Sequence, residues 1–387
     1  MNPFGLYLHI PFCIHKCGYC DFNSHPLEGQ DPQAYVNAIA REIETRAESL
    51  ESSTTISSIF FGGGTPTTLE ADQLLFLLET CKQHYQLSSD CEITLEANPG
   101  TIKPDFLPHV KNSGFNRISI GAQSFNPDEL KLLERIHSGD EIDTTVHAAR
   151  EAGFGNLSLD LMFALPDQSL ETWQQNLNRA LDLQPDHISC YNLMIEPNTS
   201  FKNLYDSGNL VMPEETHQLE LFQYTIATLK DRGFNQYEIS NFAHHGYECR
   251  HNRLYWLNGE HLGLGAGASS YINGVRSRNI KSPAKYTQSI ITRNSATDFK
   301  EELSPQESMG ESLMLGLRLK EGVNINSFEQ RYATGLTSVF GDTLTKLLEK
   351  KLITLDNGHL ALTEQGLYLA DSVILEFISP PSSQETV

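Results

Sequence analysis

The chain has 387 residues, 39% hydrophobic and 20% charged, which suits a sizeable buried core and excludes disordered, collagen-like and disulfide-scaffold classes. Its 28 Lys and Arg against 49 Asp and Glu leave a formal net charge of −21, a field that repels phosphate backbones and anionic lipid, so nucleic acid is not an expected partner. No apolar run reaches the length of a membrane span, and the start MNPFGLYLHIPF lacks a basic n-region and cleavage site, so no integral membrane segment and a cytoplasmic location are expected.

Along the chain, short β-prone runs alternate with helix-like stretches. Strands are predicted near residues 6–10, 58–61, 92–96, 117–120, 157–161, 187–193 and 236–239. Several are continuous apolar runs, as parallel strands covered on both faces require. Asp31-Pro32 and Asn126-Pro127 each place a capping side chain before a proline at the first helical position. Pro213 opens a helix-like run through Lys230, with Gly233 where a left-handed cap belongs. Ser113-Gly114-Phe115, Ala152-Gly153-Phe154 and Arg232-Gly233-Phe234 each end such a stretch, spaced by about one and two βα units. About six βα units precede residue 240, short of the eight that close a barrel. The fold class is therefore α/β, a partial open (βα)6 barrel over residues 1–245.

Residues 246–303 read as a connecting segment rich in Gly and Asn. Residues 304–378 read as a small winged-helix-like domain, with a hairpin of 352–355 and 359–362 around Asp356-Asn357-Gly358. Residues 301–387 carry 6 Lys and Arg against 13 Asp and Glu, which favours a packing or lid role over DNA binding. Residues 379–387 are expected to be a disordered tail.

Seven cysteines, an odd number, argue against a disulfide framework. Cys13, Cys17 and Cys20 fall within eight residues just after the first strand, while Cys81, Cys91, Cys190 and Cys249 are scattered. Thiolates suit iron–sulfur clusters or zinc, but a structural zinc site wants four protein ligands and no second CxxC pair is present. Three thiolates on one loop can hold three irons of a [4Fe–4S] cube and leave the fourth open to an exogenous ligand. Other polar groups sit where barrel strands finish. Gly62-Gly63-Gly64-Thr65 exposes backbone after the second strand, Glu96 ends the third, Gln123 follows the fourth and Asp160 ends the fifth.

The CxxxCxxC spacing, with Tyr19 before its last cysteine, resembles the motif of the radical S-adenosylmethionine superfamily, and the likeness extends over the first 240 residues. It implies a [4Fe–4S] cluster on Cys13, Cys17 and Cys20, whose unique iron chelates the amino and carboxylate groups of S-adenosylmethionine. One-electron cleavage then yields methionine and a 5′-deoxyadenosyl radical. Tyr7-Leu8-His9-Ile10-Pro11-Phe12-Cys13 resembles the approach to the cluster in the oxygen-independent coproporphyrinogen III oxidase group. On that resemblance Tyr7, Tyr19, Gly63, Gly64, Thr65, Glu96, Gln123, Arg135 and Asp160 take S-adenosylmethionine-contacting positions. Gln123, Arg135 and Asp160 match those that serve a second S-adenosylmethionine in the oxidase.

The oxidase has a further cysteine two residues after the third; here that position is Phe22. Phenylalanine replaces neither the redox nor the hydrogen-bonding role of a thiol, so decarboxylation of coproporphyrinogen III to protoporphyrinogen IX stands as the alternative reading, not the leading one. Cys20-Asp21-Phe22 is similar to the HemW-type heme chaperone branch, and His251-Asn252-Arg253-Leu254-Tyr255-Trp256 matches its HNxxYW signature. The resemblance implies heme and heme-accepting proteins as partners, with His251 as the heme contact. A neutral imidazole is a standard axial ligand, and on a helix His251 and Tyr255 share a face. The residue types alone equally suit a buried structural histidine, with His9, His15, His244, His245 and Cys249 as rival ligands. The run from Gly263 to Ser269 lacks the downstream acid of a dinucleotide fingerprint and reads as backbone lining the barrel mouth. Nothing in the residues fixes the oligomeric state, so a homodimer stays open.

Overall fold

Seven parallel strands lie side by side in one twelve-stranded sheet. The structure, a computed structural model, describes residues 3–103 and 105–378, so the expected tail at 379–387 lies outside the described residues. Six of the parallel strands follow chain order: β1 (Phe4–Ile10), β2 (Thr55–Gly63), β3 (Gln86–Ala97), β4 (Arg117–Gln123), β5 (Leu157–Phe163) and β6 (His187–Asn192). Helices α1 (Pro32–Ala47), α2 (Ala71–His84), α3 (Phe106–Ser113), α4 (Pro127–Leu132), α5 (Gly139–Glu151) and α6 (Leu170–Asp182) make the crossovers. In β1, Leu6, Leu8 and Ile10 are fully buried in the main core, while Tyr7 and His9 alternate onto the opposite, concave face.

Local punctuation follows the physics of the residues. Asp31 accepts from the Ala34 N–H at 3.0 Å at the start of α1. Gly114, Gly153 and Gly233 all adopt left-handed φ (117°, 91° and 82°), the conformation that ends a helix most easily without a Cβ.

Two elements differ from expectation. The strand predicted at 236–239 is instead a tight reversal between β7 (Asn235–Gln236) and β8 (Asn241–Ala243), because Glu238 turns its carboxylate back onto the Ser240 N–H and the Asn241 amide. The connecting segment is also more than a connector. β9 (His261–Leu264) adds to the free side of β1 as the seventh parallel strand, and β10 (Ser269–Ile272), β11 (Val275–Asn279) and β12 (Thr297–Glu302) continue antiparallel. The sheet runs from β12 to β7 without its two edges pairing, so it remains an open barrel.

Residues beyond 304 build a separate core from Leu313, Leu317, Phe328, Leu344, Leu360 and Phe377. Strands Ile353–Asp356 and His359–Leu362 form the expected hairpin, and Asn357 and Gly358 supply the paired positive φ (50° and 76°) of its turn. With helices Pro305–Gly316, Ile325–Tyr332, Leu336–Glu349 and Ala370–Ile378 this is a winged-helix-like unit.

A buried clamp ties α1 to the loop after β9. The Glu42 carboxylate accepts from the Gly265 N–H at 2.8 Å, the Asn279 amide at 2.7 Å and the Tyr286 hydroxyl at 2.7 Å. Tyr35 donates to the His9 carbonyl at 2.9 Å and accepts from the Ala266 N–H at 2.8 Å. Replacing Glu42 by Ala removes three buried hydrogen bonds, leaves the Gly265 N–H and the Tyr286 hydroxyl without this acceptor, and is expected to lower the unfolding free energy by about 3 kcal/mol. Chemical denaturation tests this; a loss within a few tenths of a kcal/mol would contradict the clamp.

Candidate functional site

The β1–β2 pairing carries on past the strand ends. The Gly64 N–H donates to the Ile10 carbonyl and the Thr65 N–H to the Phe12 carbonyl, both at 2.8 Å. The cysteine loop then closes on itself: Phe12–Cys13 pairs with His25–Pro26, and Lys16 donates to the Phe22 and Ser24 carbonyls. Cys13, Cys17 and Cys20 are free thiols, each facing a polar group. Thr65 Oγ1 donates to Cys13 Sγ at 3.5 Å, Ser24 Oγ lies 3.7 Å from Cys20 Sγ, and Arg135 Nη1 donates to Cys17 Sγ at 3.8 Å. Burial pushes the Cys13 and Cys17 thiols up, with the Arg135 guanidinium pulling Cys17 back.

The donor set fits an iron–sulfur cluster. Three sulfurs on one turn-closed loop, two of them receiving hydrogen bonds, are ligands of the right softness for iron. Among the described residues no three His, Cys, Asp or Glu side chains converge on one point as a single metal ion would need. A cube, which takes one thiolate per iron, asks for a wider spread.

A cavity of about 340 Å³ lies beside the loop, lined by Tyr7, His9, Gly63, Glu96, His261 and Gly267, with exposed Phe22 among its walls. Gly63 has φ 120°, and a Cβ there would come within 2.5 Å of the His9 ring, so only glycine leaves this edge open. The Gly63 N–H donates to Glu96 Oε2 at 3.1 Å. His9 Nε2 donates to the Asn23 carbonyl at 2.9 Å, which leaves Nδ1 to accept from the Tyr7 hydroxyl at 2.9 Å. Burial lowers His9 to about 4, so it is neutral. Burial also raises Glu96 to about 7, with the Asp160 charge adding and the Gly63 N–H opposing. Asp160 accepts from Ser119 at 3.0 Å, Ser158 at 3.3 Å and Ser189 at 2.7 Å. Glu96 in the wall, with the buried Asp160 carboxyl within its field, makes this side of the cavity acidic and complementary to a cationic ligand.

Tyr19, Gln123 and Arg135 gather on the Cys17 side. Arg135 donates to the Gly121 carbonyl at 3.0 Å and to Tyr19 at 3.5 Å, while its buried Nε has no hydrogen-bond partner among the described residues. Gln123 ends β4 at φ 65°, a left-handed conformation costly for a side-chain-bearing residue, and its amide lies beside Gly121 with Arg135. The structure thus assembles Tyr7, Gly63 and Glu96 around one cavity, sets Thr65 on Cys13, and joins Tyr19 and Arg135 to Cys17. It also sets Gly64 against the Pro11–Phe12 backbone, where a Cβ would sit 2.8 Å from the Phe12 carbonyl oxygen.

His251, the expected heme contact, is only 1% exposed, at the second position of helix α7 (Arg250–Trp256). Its Nδ1 bonds Ser58 Oγ and its Nε2 bonds the Tyr255 hydroxyl, both at 2.9 Å, and the ring stacks on Phe60. Neither nitrogen is free for iron in this conformation. Among the rivals, His15 pairs with Glu134 at the surface, His244 stacks on Phe234, and Cys249 is fully buried against Glu92. The serines around Asp160 and the Ser58–His251 contact escape a sequence reading, since serines inside strands carry no spacing signal.

The Radical SAM superfamily model matches residues 7–180, and the HemN C-terminal domain model matches residues 303–369. Heme chaperone HemW of Bacillus subtilis (strain 168) is 38% identical over 96% of this chain and 98% of its own length. Heme chaperone HemW of Lactococcus lactis is 35% identical over 97% and 98%. The chain belongs to the HemW family of radical SAM proteins. Among solved structures, coproporphyrinogen III oxidase (HemN) from Escherichia coli superposes with a TM-score of 0.84 at 26% identity, over 98% of this chain and 90% of that one. This chain therefore shares the fold of that oxidase over nearly its own whole length, C-terminal unit included.

Glu96 gives this site a pH signature. The folded carboxyl keeps its proton to about pH 7, against an ordinary value of 4.5. Between those values the folded state binds more protons, so stability falls as pH rises, by on the order of 3 kcal/mol in all. In cofactor-free protein Glu96→Gln is expected to remove that part of the decline between pH 4.5 and 7. Equal slopes in wild type and variant would contradict the assignment.

Proposed function

We propose that this chain takes up heme and hands it to a heme-accepting protein, while holding a [4Fe–4S] cluster on Cys13, Cys17 and Cys20 and S-adenosylmethionine in the adjoining cavity. The observation that carries the reading is kinship over nearly the whole chain with proteins named heme chaperone HemW. Phe22 supports it. At the place of the oxidase's additional thiol it presents an apolar ring, 65% exposed, beside the cavity.

Within this reading each side chain has a physical task. Cys13, Cys17 and Cys20 ligate, and Thr65 and Arg135 steady two of the sulfurs by hydrogen bonds. Ionised Glu96, with the backbone of Gly63 and Gly64, receives the ammonium of the bound amino acid, and Tyr7 closes the floor beside it. Tyr19, Gln123, Arg135 and Asp160 supply the remaining polar wall, and Arg135 is available to a carboxylate. When bound, cluster and S-adenosylmethionine supply one-electron chemistry at a sulfonium. The protein orients the pair and keeps water out. The division into a barrel to 245, a segment to 303 that extends the barrel's sheet, and a lid-like unit to 378 belongs to the same proposal. So does a cytoplasmic site of action, in keeping with seven unpaired thiols.

The likeness to the Escherichia coli oxidase favours a second reading, oxidative decarboxylation of coproporphyrinogen III. One anaerobically reconstituted sample separates the two. Stoichiometric heme binding in a spectral titration, with no protoporphyrinogen formed from coproporphyrinogen, reductant and S-adenosylmethionine, is the expected result. Product formation without heme binding would reverse the choice.

A further inference from the structure

We propose that His261, not His251, supplies the axial nitrogen for heme, from the cleft between β9–β11 and helix Pro305–Gly316. This rests on the heme-chaperone reading above and assigns it a place.

The two histidines differ in what their nitrogens do. Both nitrogens of His251 are consumed, by Ser58 and by Tyr255. His261 makes one hydrogen bond: Nδ1 lies 3.2 Å from the Gly259 carbonyl and donates to it, and Nε2 has no hydrogen-bond partner among the described residues. A ring whose second nitrogen donates to a backbone carbonyl is oriented, and fixed in the tautomer with its other lone pair free, as metal-ligating histidines are. Burial lowers the His261 pKa, which keeps the imidazole neutral at working pH.

The surroundings match the rest of the ligand. His261, Tyr255 and Ser269 line both the 340 Å³ cavity beside the cluster loop and an outer cleft of about 260 Å³. The imidazole therefore stands in the wall between the cofactor cavity and the outside. The outer cleft adds the aromatic faces of Tyr271 and Phe299 and the guanidiniums of Arg276 and Arg278. Aromatic faces pack on a porphyrin, and guanidiniums bind its carboxylates. Arg278 lies over the Phe299 ring at 5.3 Å and reaches Asp298 only at 3.8 Å, while Arg276 pairs with Glu301 and Glu311. The cleft is smaller than the ~300–1,000 Å³ of sites that enclose a ligand. It covers only the part of a macrocycle that faces His261 and leaves the rest exposed, which suits a carrier that must release its load.

The HNxxYW signature then acts at one remove. His251 Nε2 holds the Tyr255 hydroxyl, and the Tyr255 ring stands edge-on to His261 with centroids 4.7 Å apart and planes at 83°. Tyr255 thereby fixes the rotamer of the ligating ring, and His251 is a positioning residue.

The test uses full-length, anaerobically reconstituted protein and hemin as the probe. His261→Ala is expected to weaken hemin binding by at least about tenfold and to shift the Soret band, with the cluster absorbance retained. In His261→Gly, added imidazole is expected to restore the wild-type spectrum, which a merely structural role would not allow. Wild-type affinity and spectrum in His261→Ala, or a loss in His261→Gly that imidazole leaves unrepaired, would overturn the assignment. Failure of the wild type itself to bind hemin would instead overturn the chaperone reading on which it rests.

Discussion

The parallel register of β1 against β2, with Ile10 opposite Gly63, is the constraint on which the site depends. It brings the cysteine loop and the glycine edge to the same end of the sheet, and its hydrogen bonds continue beyond both strands to pin one against the other. A slip of one residue would exchange the faces of β1. Tyr7 and His9 would leave the cavity, and Leu6, Leu8 and Ile10 would leave the core. β9 repeats the device on the other side of β1, with Leu8 opposite Leu264, and delivers Gly267 and His261 to the same hollow. Three neighbouring strands thus bring together the cluster loop, the glycine edge and the candidate heme ligand, with Glu96 entering the cavity from β3.

Inside this frame the electrostatics are set by burial. Glu96 and Asp160 are enclosed, and the desolvation that raises both carboxyls makes an incoming cation favourable. Arg117, also fully buried, keeps its charge against its own desolvation beside the carboxylates of Glu92 and Asp160, and helps Asp160 carry charge. The same dryness keeps His9, His251 and His261 neutral. The interior is therefore selective before any ligand enters: anions are repelled at one end, and imidazoles are kept in their coordinating form.

Much of this was legible because the signals are local. Apolar runs marked β1 to β6, the three helix-ending glycines marked the βα period, and three cysteines in eight residues marked the metal loop. What stayed hidden depends on distant partners. β9 has the sequence HLGL, whose glycine and polar start mask a buried strand, so only its pairing with β1 reveals it. His251 and His261 look alike in sequence; Ser58, almost two hundred positions away, decides which keeps a free nitrogen. Glu42 reads as an ordinary helix-surface acid, yet it faces the core and anchors the loop behind the cavity. The Gln123 backbone, strained at φ 65°, carries no compositional sign at all.

The central claim is that three thiolates leave one iron open beside the Gly63–Glu96 edge. Electron paramagnetic resonance of the reduced, reconstituted protein with and without S-adenosylmethionine tests it directly. A reduced [4Fe–4S]⁺ signal whose g-values shift when S-adenosylmethionine is added is the predicted result. A signal indifferent to S-adenosylmethionine at saturating concentration would contradict the account.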